Sequence, residues 1–471
     1  MPKVALVLLA ALKVGVLLAF GPTMQPDTAH YVSYADAILD GTFQHVDLAG
    51  AAIPITLMRV IGLPAIIAAA KLIAGNYWAW AVVLLQFAVS MFATVMVFRW
   101  GRAFRLGMWL SLGVAAAYAT SLQFPTDQAI ISDSLCGSAA TIATCQLAMI
   151  VLRRSPSPLP NYFYSGLALA AAFLMRDVIV YLAVGLIPLA VAATAVKGTM
   201  PRRVLAAFLV FAPLTATYFA YAQWNRERVG APIITSISGT TLLGALAETS
   251  AYDPTIFSGS SPIDIVGRQL TPTARIGSGS EYESSVLLHR DFGWNAIQIS
   301  REVTKFYLRT WVQHPRAMIH RVLSNLSEQQ LHQAVRPTET IRDVLLLNTG
   351  SDHQFARISE VRSGNLWMIP AVIVHEMFET ISVIVFLSFL LLSPVRLIRE
   401  GLAAEAVVCA SILFMYLTVD GLYTAVAFTL RYLLPVVAGS TVVGTANLMW
   451  LIGECRDRLA AKRNRIPLAQ A

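Results

Sequence analysis

The chain has 471 residues, 56% of them hydrophobic and only 13% charged, with a formal net charge of +8 at pH 7 and a mean hydropathy of +0.62. Soluble domains carry about 25% charged residues, so this composition excludes an ordinary soluble enzyme and points to an all-α polytopic membrane protein. The basic balance suggests a nucleic-acid binder only until the charges are located.

Arg99, Arg102 and Arg105 share one short segment, Arg153 and Arg154 a second, Lys197, Arg202 and Arg203 a third, and Arg396 and Arg399 a fourth. The tail holds Arg456, Arg458, Lys462, Arg463 and Arg465. Each cluster follows an even-numbered apolar span, as cytoplasmic loops do. The excess charge therefore reflects topology, and no nucleic-acid partner is expected.

Spans of about 20 apolar residues predict about ten transmembrane helices. They cover 4–21, 77–98, 107–123, 134–152, 162–175, 178–196, 204–222, 367–392, 403–419 and 424–452. Both termini then lie in the cytoplasm. The first span resembles a signal peptide, but Pro22 directly after Ala19-Phe20-Gly21 argues for an uncleaved anchor.

Two stretches do not span, and both fall on the outer side. Residues 22–76 open on an amphipathic helix in which Tyr31, Tyr34, Ile38 and Leu39 recur at helical spacing, ended by Gly41. The apolar run 48–74, broken by Pro54, Gly62 and Pro64 and carrying Arg59, reads as helices lying in the membrane interface. The second stretch, 223–365, is polar enough for a large α-rich periplasmic domain. It is strongly helical over 296–331, with Pro315 suited to the first position of a helix. The expected organisation is a membrane domain 1–222, the outer domain 223–365, further transmembrane helices 366–454 and a basic tail 455–471. No internal repeat is evident.

Cys136, Cys145, Cys409 and Cys455 leave the outer domain without a disulfide framework. The chemistry must come from polar residues whose placement is costly, since a charge near the bilayer centre costs about 2.5–3.5 kcal/mol. Asp27, in Gln25-Pro26-Asp27-Thr28-Ala29-His30-Tyr31, sits where the first span meets outer water. It is either a catalytic base or the cap of a helix starting at Thr28. Arg431, beside Pro435, falls roughly 10 Å into the last span at 1.5 Å per residue. A proline there implies a kink, and a guanidinium beside it suits a phosphate or pairs with Asp420. Lys13 lies deep in the first span, placed to snorkel or to meet substrate. Arg176-Asp177 is a turn ion pair or a second cation at the outer leaflet. Asp133 caps the fourth span or faces the site. His375, Glu376 and Glu379 share one turn but lack the second ligand set a metal needs, so no metal and no cofactor are expected.

These stretches resemble, in order, the GT-C fold membrane glycosyltransferases. The nearest branch is the bacterial one related to protein O-mannosyltransferases and the lipid A aminoarabinose transferase. The resemblance rests on Pro26-Asp27-Thr28 with Tyr31, Ala35, Leu39 and Gly41; on Ile131-Ser132-Asp133-Ser134-Leu135; and on Gly166 through Leu174-Met175-Arg176-Asp177. It continues in Trp224-Asn225-Arg226 with Gly230, Ser236, Ser238, Gly239 and Leu243, in Gln313-His314-Pro315, and in Arg431-Tyr432-Leu433-Leu434-Pro435.

It implies a multi-pass protein of the bacterial inner membrane whose site faces the periplasm. Such an enzyme moves a sugar, with inversion, from a polyprenyl-phosphate donor to a hydroxyl of a glycan, lipid or protein. Asp27 would be the general base. Arg176, Arg226 and Arg431 would hold the leaving phosphate, with Asp133, Tyr31 and Lys13 lining the substrate site. Relatives often carry a second acidic residue where this chain has Thr28, which argues against a metal-bridged mechanism. Two other classes remain open. A polymerase or ligase acting on lipid-pyrophosphate glycans would use outer-domain groups such as Arg316, His320 and Arg321, and a flippase would make no glycosidic bond.

Overall fold

Apolar stretches of 13 to 32 residues form the framework of the computed structural model, which describes residues 2–121, 123–153, 158–196, 199–274, 280–325, 369–426 and 434–463. The described residues form an all-α polytopic membrane protein. Six helices are long and apolar enough to cross a membrane, and three shorter apolar ones accompany them. All ten expected spans coincide with helices. These are α1 (Pro2–Phe20), α5 (Trp78–Ala103), α6 (Met108–Thr120), α8 (Asp133–Arg153), α9 (Leu159–Met175), α10 (Ile179–Ala195), α11 (Met200–Val229), α17 (Ile369–Glu400), α18 (Ala404–Val426) and α19 (Leu434–Arg463).

Several boundaries move, and three of them alter the reading. Residues 424–426, expected to open the tenth span, belong to the ninth helix. The third span ends at Thr120, and Gln123–Gln128 forms a separate short helix, α7. The helix expected to end at 222 runs on to Val229. Arg431 and the kink expected beside it lie outside the described residues, as do the side chains of His375, Glu376 and Glu379 and all of Arg154, Lys197 and Arg465.

Helix α8 is the hub. In its apolar window 78% of the residues are buried, against 22% in that of α11. Its run of Ser134, Gly137, Ser138, Ala139, Ala140, Thr141, Ala143 and Thr144 is small, and small residues let helix backbones approach where no water drives association. Accordingly α5, α9, α10, α18 and α19 all pack on it. Trp100, Tyr118, Phe173 and Phe389 fill the core around it.

Four further helices lie in the first loop and beside it: α2 (Pro26–Leu39), α3 (Ile55–Met58), α4 (Gly62–Ala74) and α7. The amphipathic stripe of α2 buries Tyr31, Tyr34 and Ala35 against α4, and a Lys71–Asp36 ion pair ties the two. Gly41 ends α2 in the left-handed region at φ 71°. Gly62 opens α4 where it meets the end of α9. A Cβ there would strike the Leu174 carbonyl and lie 2.5 Å from the Met175 methyl.

The remaining described helices, α12 (Ile237–Thr249), α13 (Pro262–Ala274), α14 (Ser280–Phe292), α15 (Ala296–Gln313) and α16 (Pro315–Asn325), build a small domain with its own core. Leu243, Leu246, Val266, Leu270, Leu288, Val303 and Met318 are buried there, and Phe257 stacks on Phe306 with centroids 5.9 Å apart. Asn295 caps α15 by accepting the Gln298 N–H at 2.9 Å. Pro315 begins α16, as its position in the sequence predicts. The domain rests on α18 through α12 and α16.

Candidate functional site

Pro26 starts α2 one residue before Asp27, so Asp27 occupies the second helical position and is not the cap. The capping work falls to Thr28, whose hydroxyl accepts the Gln25 N–H at 2.9 Å and donates to the Ile130 carbonyl at 2.9 Å. Thr23 and Ala129 add a parallel backbone bridge, closed by Thr23 N–H to Gln128 O and Ile130 N–H to Thr23 O. The first loop is thereby pinned onto the segment that leads into α8. Thr28, which stands where relatives are expected to carry a second acid, has a structural task here.

Free of capping, the Asp27 carboxylate faces Arg59. Nη2 of Arg59 lies 2.8 Å from Oδ1, with the two side chains 12% and 15% exposed. Arg59 is the residue that closes the short helix α3, and its guanidinium covers the Tyr31 ring at 5.6 Å. The Tyr31 hydroxyl pairs with Ser132 Oγ at 2.8 Å. Next in sequence, Asp133 forms a buried ion pair with Arg176. A continuous polar chain therefore runs from Asp27 and Arg59 through Tyr31 and Ser132 to Asp133 and Arg176, drawn from four elements.

His30 stands one turn along α2 from Asp27, and its ring lies 5.9 Å from that of Tyr282 on α14. Burial, reinforced by the Arg59 charge, lowers the His30 pKa below the usual histidine value, so its imidazole is neutral at pH 7. Burial works against the charged form of Arg59, yet Tyr31, Asp27 and Tyr282 around it more than offset that and raise its pKa.

Four expected site residues, Asp27, Tyr31, Asp133 and Arg176, meet in this cluster. The turn pair Arg176–Asp177 is replaced by Arg176–Asp133, while Asp177 accepts the Thr235 hydroxyl at 2.6 Å. Two expected residues are elsewhere. Lys13 neither snorkels nor faces the site: fully buried, it pairs with Asp127 Oδ2 at 2.5 Å and donates to Ser90 Oγ at 3.0 Å. Gln123 and Ser134 donate to the other oxygen of that carboxylate. An ammonium inside a helix bundle needs such a partner, and Asp127 supplies it. Arg226 lies exposed on α11. Two residues on, Arg228 turns inward, stacking on Trp224 at 4.2 Å and bonding Asn225 Oδ1 at 3.0 Å.

Arg59, His30, Ser132 and Tyr282 complete the cluster and were not singled out from the sequence. Arg59 had a legible signal, being the sole charge between Asp47 and Lys71 in an apolar run. Tyr282 had none, because a 250-residue separation links it to the loop. The linker before α12 is tied down at the same place: Ser236 N–H donates to the Leu57 carbonyl at 2.8 Å, and Asn225 donates to Ile233 O and Ile234 O. Among the described residues no group of three or more His, Cys, Asp or Glu is placed to hold a metal ion.

No protein-family model matches the chain, and no curated protein does. Among solved structures, the chain is similar to the oligosaccharyltransferase of Archaeoglobus fulgidus in its apo form, with a TM-score of 0.50 and 11% sequence identity. The match covers 98% of this chain and 52% of the archaeal one, so this chain spans about half the length of that neighbour. At this identity the likeness is one of fold alone.

Proposed function

We propose that this protein is a GT-C-type membrane glycosyltransferase with Asp27 as general base. It moves a sugar from a polyprenyl-phosphate donor to an acceptor hydroxyl at the periplasmic face of a bacterial inner membrane. The observation that carries the reading is the Asp27–Arg59 pair. Asp27 is relieved of capping by Thr28, held in one orientation by Arg59, and left partly exposed at the mouth of a bundle with a glycosyltransferase fold.

In the step proposed, the acceptor oxygen attacks the anomeric carbon and gives its proton to Asp27. The bond from that carbon to the phosphate oxygen breaks, and the electron pair leaves with the phosphate. Attack from the face opposite the phosphate inverts the centre. Charge grows on the leaving phosphate, and cations fixed in advance stabilise it most. Arg59 is the nearest such cation to Asp27. Arg176 acts through the Asp133 pair that fixes it, and Arg431 remains a candidate for the phosphate on the strength of its sequence context. Lys13 and Arg226 drop out of the proposed substrate set. No metal is invoked. Arg321 and His320, the groups a polymerase or ligase would call on, are engaged within the small domain, with Glu248 at 2.6 Å and with the Tyr252 ring at 4.3 Å respectively.

The test is Asp27→Asn in a strain deleted for the gene and complemented at matched membrane levels, with envelope glycans compared by mass spectrometry. Asn keeps the shape but cannot take a proton, so transfer should fall by about 10²–10⁴-fold. A sugar increment restored equally by both versions removes Asp27 as base.

A further inference from the structure

Arg59 hangs from α3, a single turn of four residues, Ile55–Met58. One turn fixes several backbone angles for very few hydrogen bonds, so it does not hold its shape unaided. Two bonds close it, from the Leu57 and Met58 N–H groups to the Pro54 carbonyl at 2.9 and 3.0 Å. The last carbonyls of a helix find no partner within it, and here two of them are met from outside. Arg228 Nη2 donates to the Thr56 carbonyl at 3.4 Å, and Ser236 N–H donates to the Leu57 carbonyl at 2.8 Å. Both donors flank the linker that leaves the membrane bundle, Arg228 in the last turn of α11 and Ser236 just before α12.

Arg228 is itself firmly held. Its Nη1 donates to Asn225 Oδ1 at 3.0 Å, and its guanidinium lies over the Trp224 ring at 4.2 Å. That ring packs on Tyr221 and Phe43, with centroids 5.2 and 6.1 Å away. Asn225 is fully buried, and its amide donates to the Ile233 and Ile234 carbonyls. A planar fork serves Asn225 and Thr56 at once, one nitrogen each, which an ammonium on a flexible stem does not reproduce.

We infer that Arg228 is a positioning residue for the proposed transfer: by gripping the end of α3 it aims the Arg59 guanidinium, and through it the Asp27 carboxylate. The inference rests on the transferase reading of Asp27 and deepens it. Met58 and Val60, buried on either side of Arg59, fix how deep the segment sits. The bonds to the Thr56 and Leu57 carbonyls fix how it is turned, and that turn decides where a side chain leaving it points. Arg59 reaches Asp27 Oδ1 at 2.8 Å. A shift of about 1 Å at its root therefore misplaces the carboxylate, which costs up to about 100-fold in rate.

The experiment uses the full chain and two readouts. The first needs no substrate. It is NMR of the histidine side chains in lipid nanodiscs, with the His30 signal assigned by its loss in His30→Gln. Burial, and after it the Arg59 charge, hold the His30 pKa below the usual histidine value. Arg228→Met should let Arg59 leave its place, raising the His30 titration midpoint toward that of Arg59→Met. Arg228→Lys, which keeps the charge without the fork, should fall between Arg228→Met and the wild type. The second readout is glycan transfer in the complemented deletion strain. Arg228→Met should lower it by about ten- to a hundredfold, with partial recovery in Arg228→Lys. In an Arg59→Met background, Arg228→Met should cost nothing further, because it acts through Arg59. Thermal unfolding checks that each variant is folded, and Arg228→Lys carries both tests if Arg228→Met is not. A His30 midpoint unmoved by either substitution, or losses that add in full in the double variant, overturns the inference. His30 unmoved beside transfer abolished by Asp27→Asn sinks the positioning role and spares the transferase. His30 moved beside undiminished transfer by Asp27→Asn sinks Asp27 as base and spares the coupling of Arg228 to Arg59.

Discussion

Arg59 and Asp27 divide the work of a single polar contact, and the division is testable one side chain at a time. Arg59→Ala removes the group that orients the carboxylate at 2.8 Å. Misplacing a reacting group by about 1 Å costs up to about 100-fold in rate. We expect kcat to fall by that order, with partial recovery in Arg59→Lys, read by the same glycan analysis at matched protein levels. The Asp133–Arg176 pair is different in kind. Its side chains are 2% and 9% exposed, and removing one partner of a buried pair costs about 3–5 kcal/mol because the other charge is stranded. Arg176→Met should therefore lower the unfolding temperature strongly in detergent. The double variant Asp133→Leu/Arg176→Met should regain most of that stability but not the activity, if the pair also serves the donor side.

At the scale of elements, the first loop is positioned by helices that never touch substrate. Lys13 is the pin of α1. Its ammonium reaches Asp127 and Ser90 and lies 5.4 Å from the Phe87 ring centroid, so α1, α5 and α7 are joined by one side chain. Gln86 adds three bonds from its amide to the carbonyls of Thr126, Asp127 and Ala129, just upstream of the strand-like segment on which the first loop rests. Lys13→Met leaves Asp127 buried and uncompensated. It should reduce folded yield and unfolding temperature far more than a substitution at exposed Arg226, measured by size-exclusion profile and thermal melt. Gly62 is the complementary case. Its position against the Leu174 carbonyl leaves no room for a side chain, so Gly62→Val should push α4 off the end of α9 and disturb Arg59 and Arg176 together.

For the whole molecule, the small domain and the first loop meet. Ser236, Thr235 and Tyr282 from the domain side reach Leu57, Asp177 and the His30 ring from the membrane side. That domain also holds a pH-sensitive contact. The Thr255 hydroxyl and then His314, which lies 2.8 Å from Asp253 Oδ2, hold the Asp253 carboxyl below the usual aspartate value. A carboxyl whose pKa is depressed on folding contributes stability that is present above its unfolded value and lost as the pH falls through its folded one. Acidification below the ordinary carboxylate range should therefore loosen the junction of α15 and α16, followed by hydrogen exchange at their backbone amides. Asp253→Asn should flatten that acid dependence.

The apolar spans determined the class and where the described apolar helices lie, because span length is imposed by bilayer thickness and needs no knowledge of neighbours. The amphipathic stripe of α2 and the start at Pro315 were legible for the same reason, being local periodicity and local backbone chemistry. Partner choice was not. Whether Arg176 bonds Asp177 beside it or Asp133 far upstream depends on how α8 and α9 pack. Whether Lys13 meets water, substrate or Asp127 depends on a short helix that interrupts the third loop. Asp27 itself shows the boundary between the two. The residue type and its place near the first span were visible in the chain, but its release from capping required Thr28 to find Ile130, a hundred residues away. Long-range contacts between charges inside a low-dielectric bundle are set by the packing of whole helices, and the tertiary structure alone decided them.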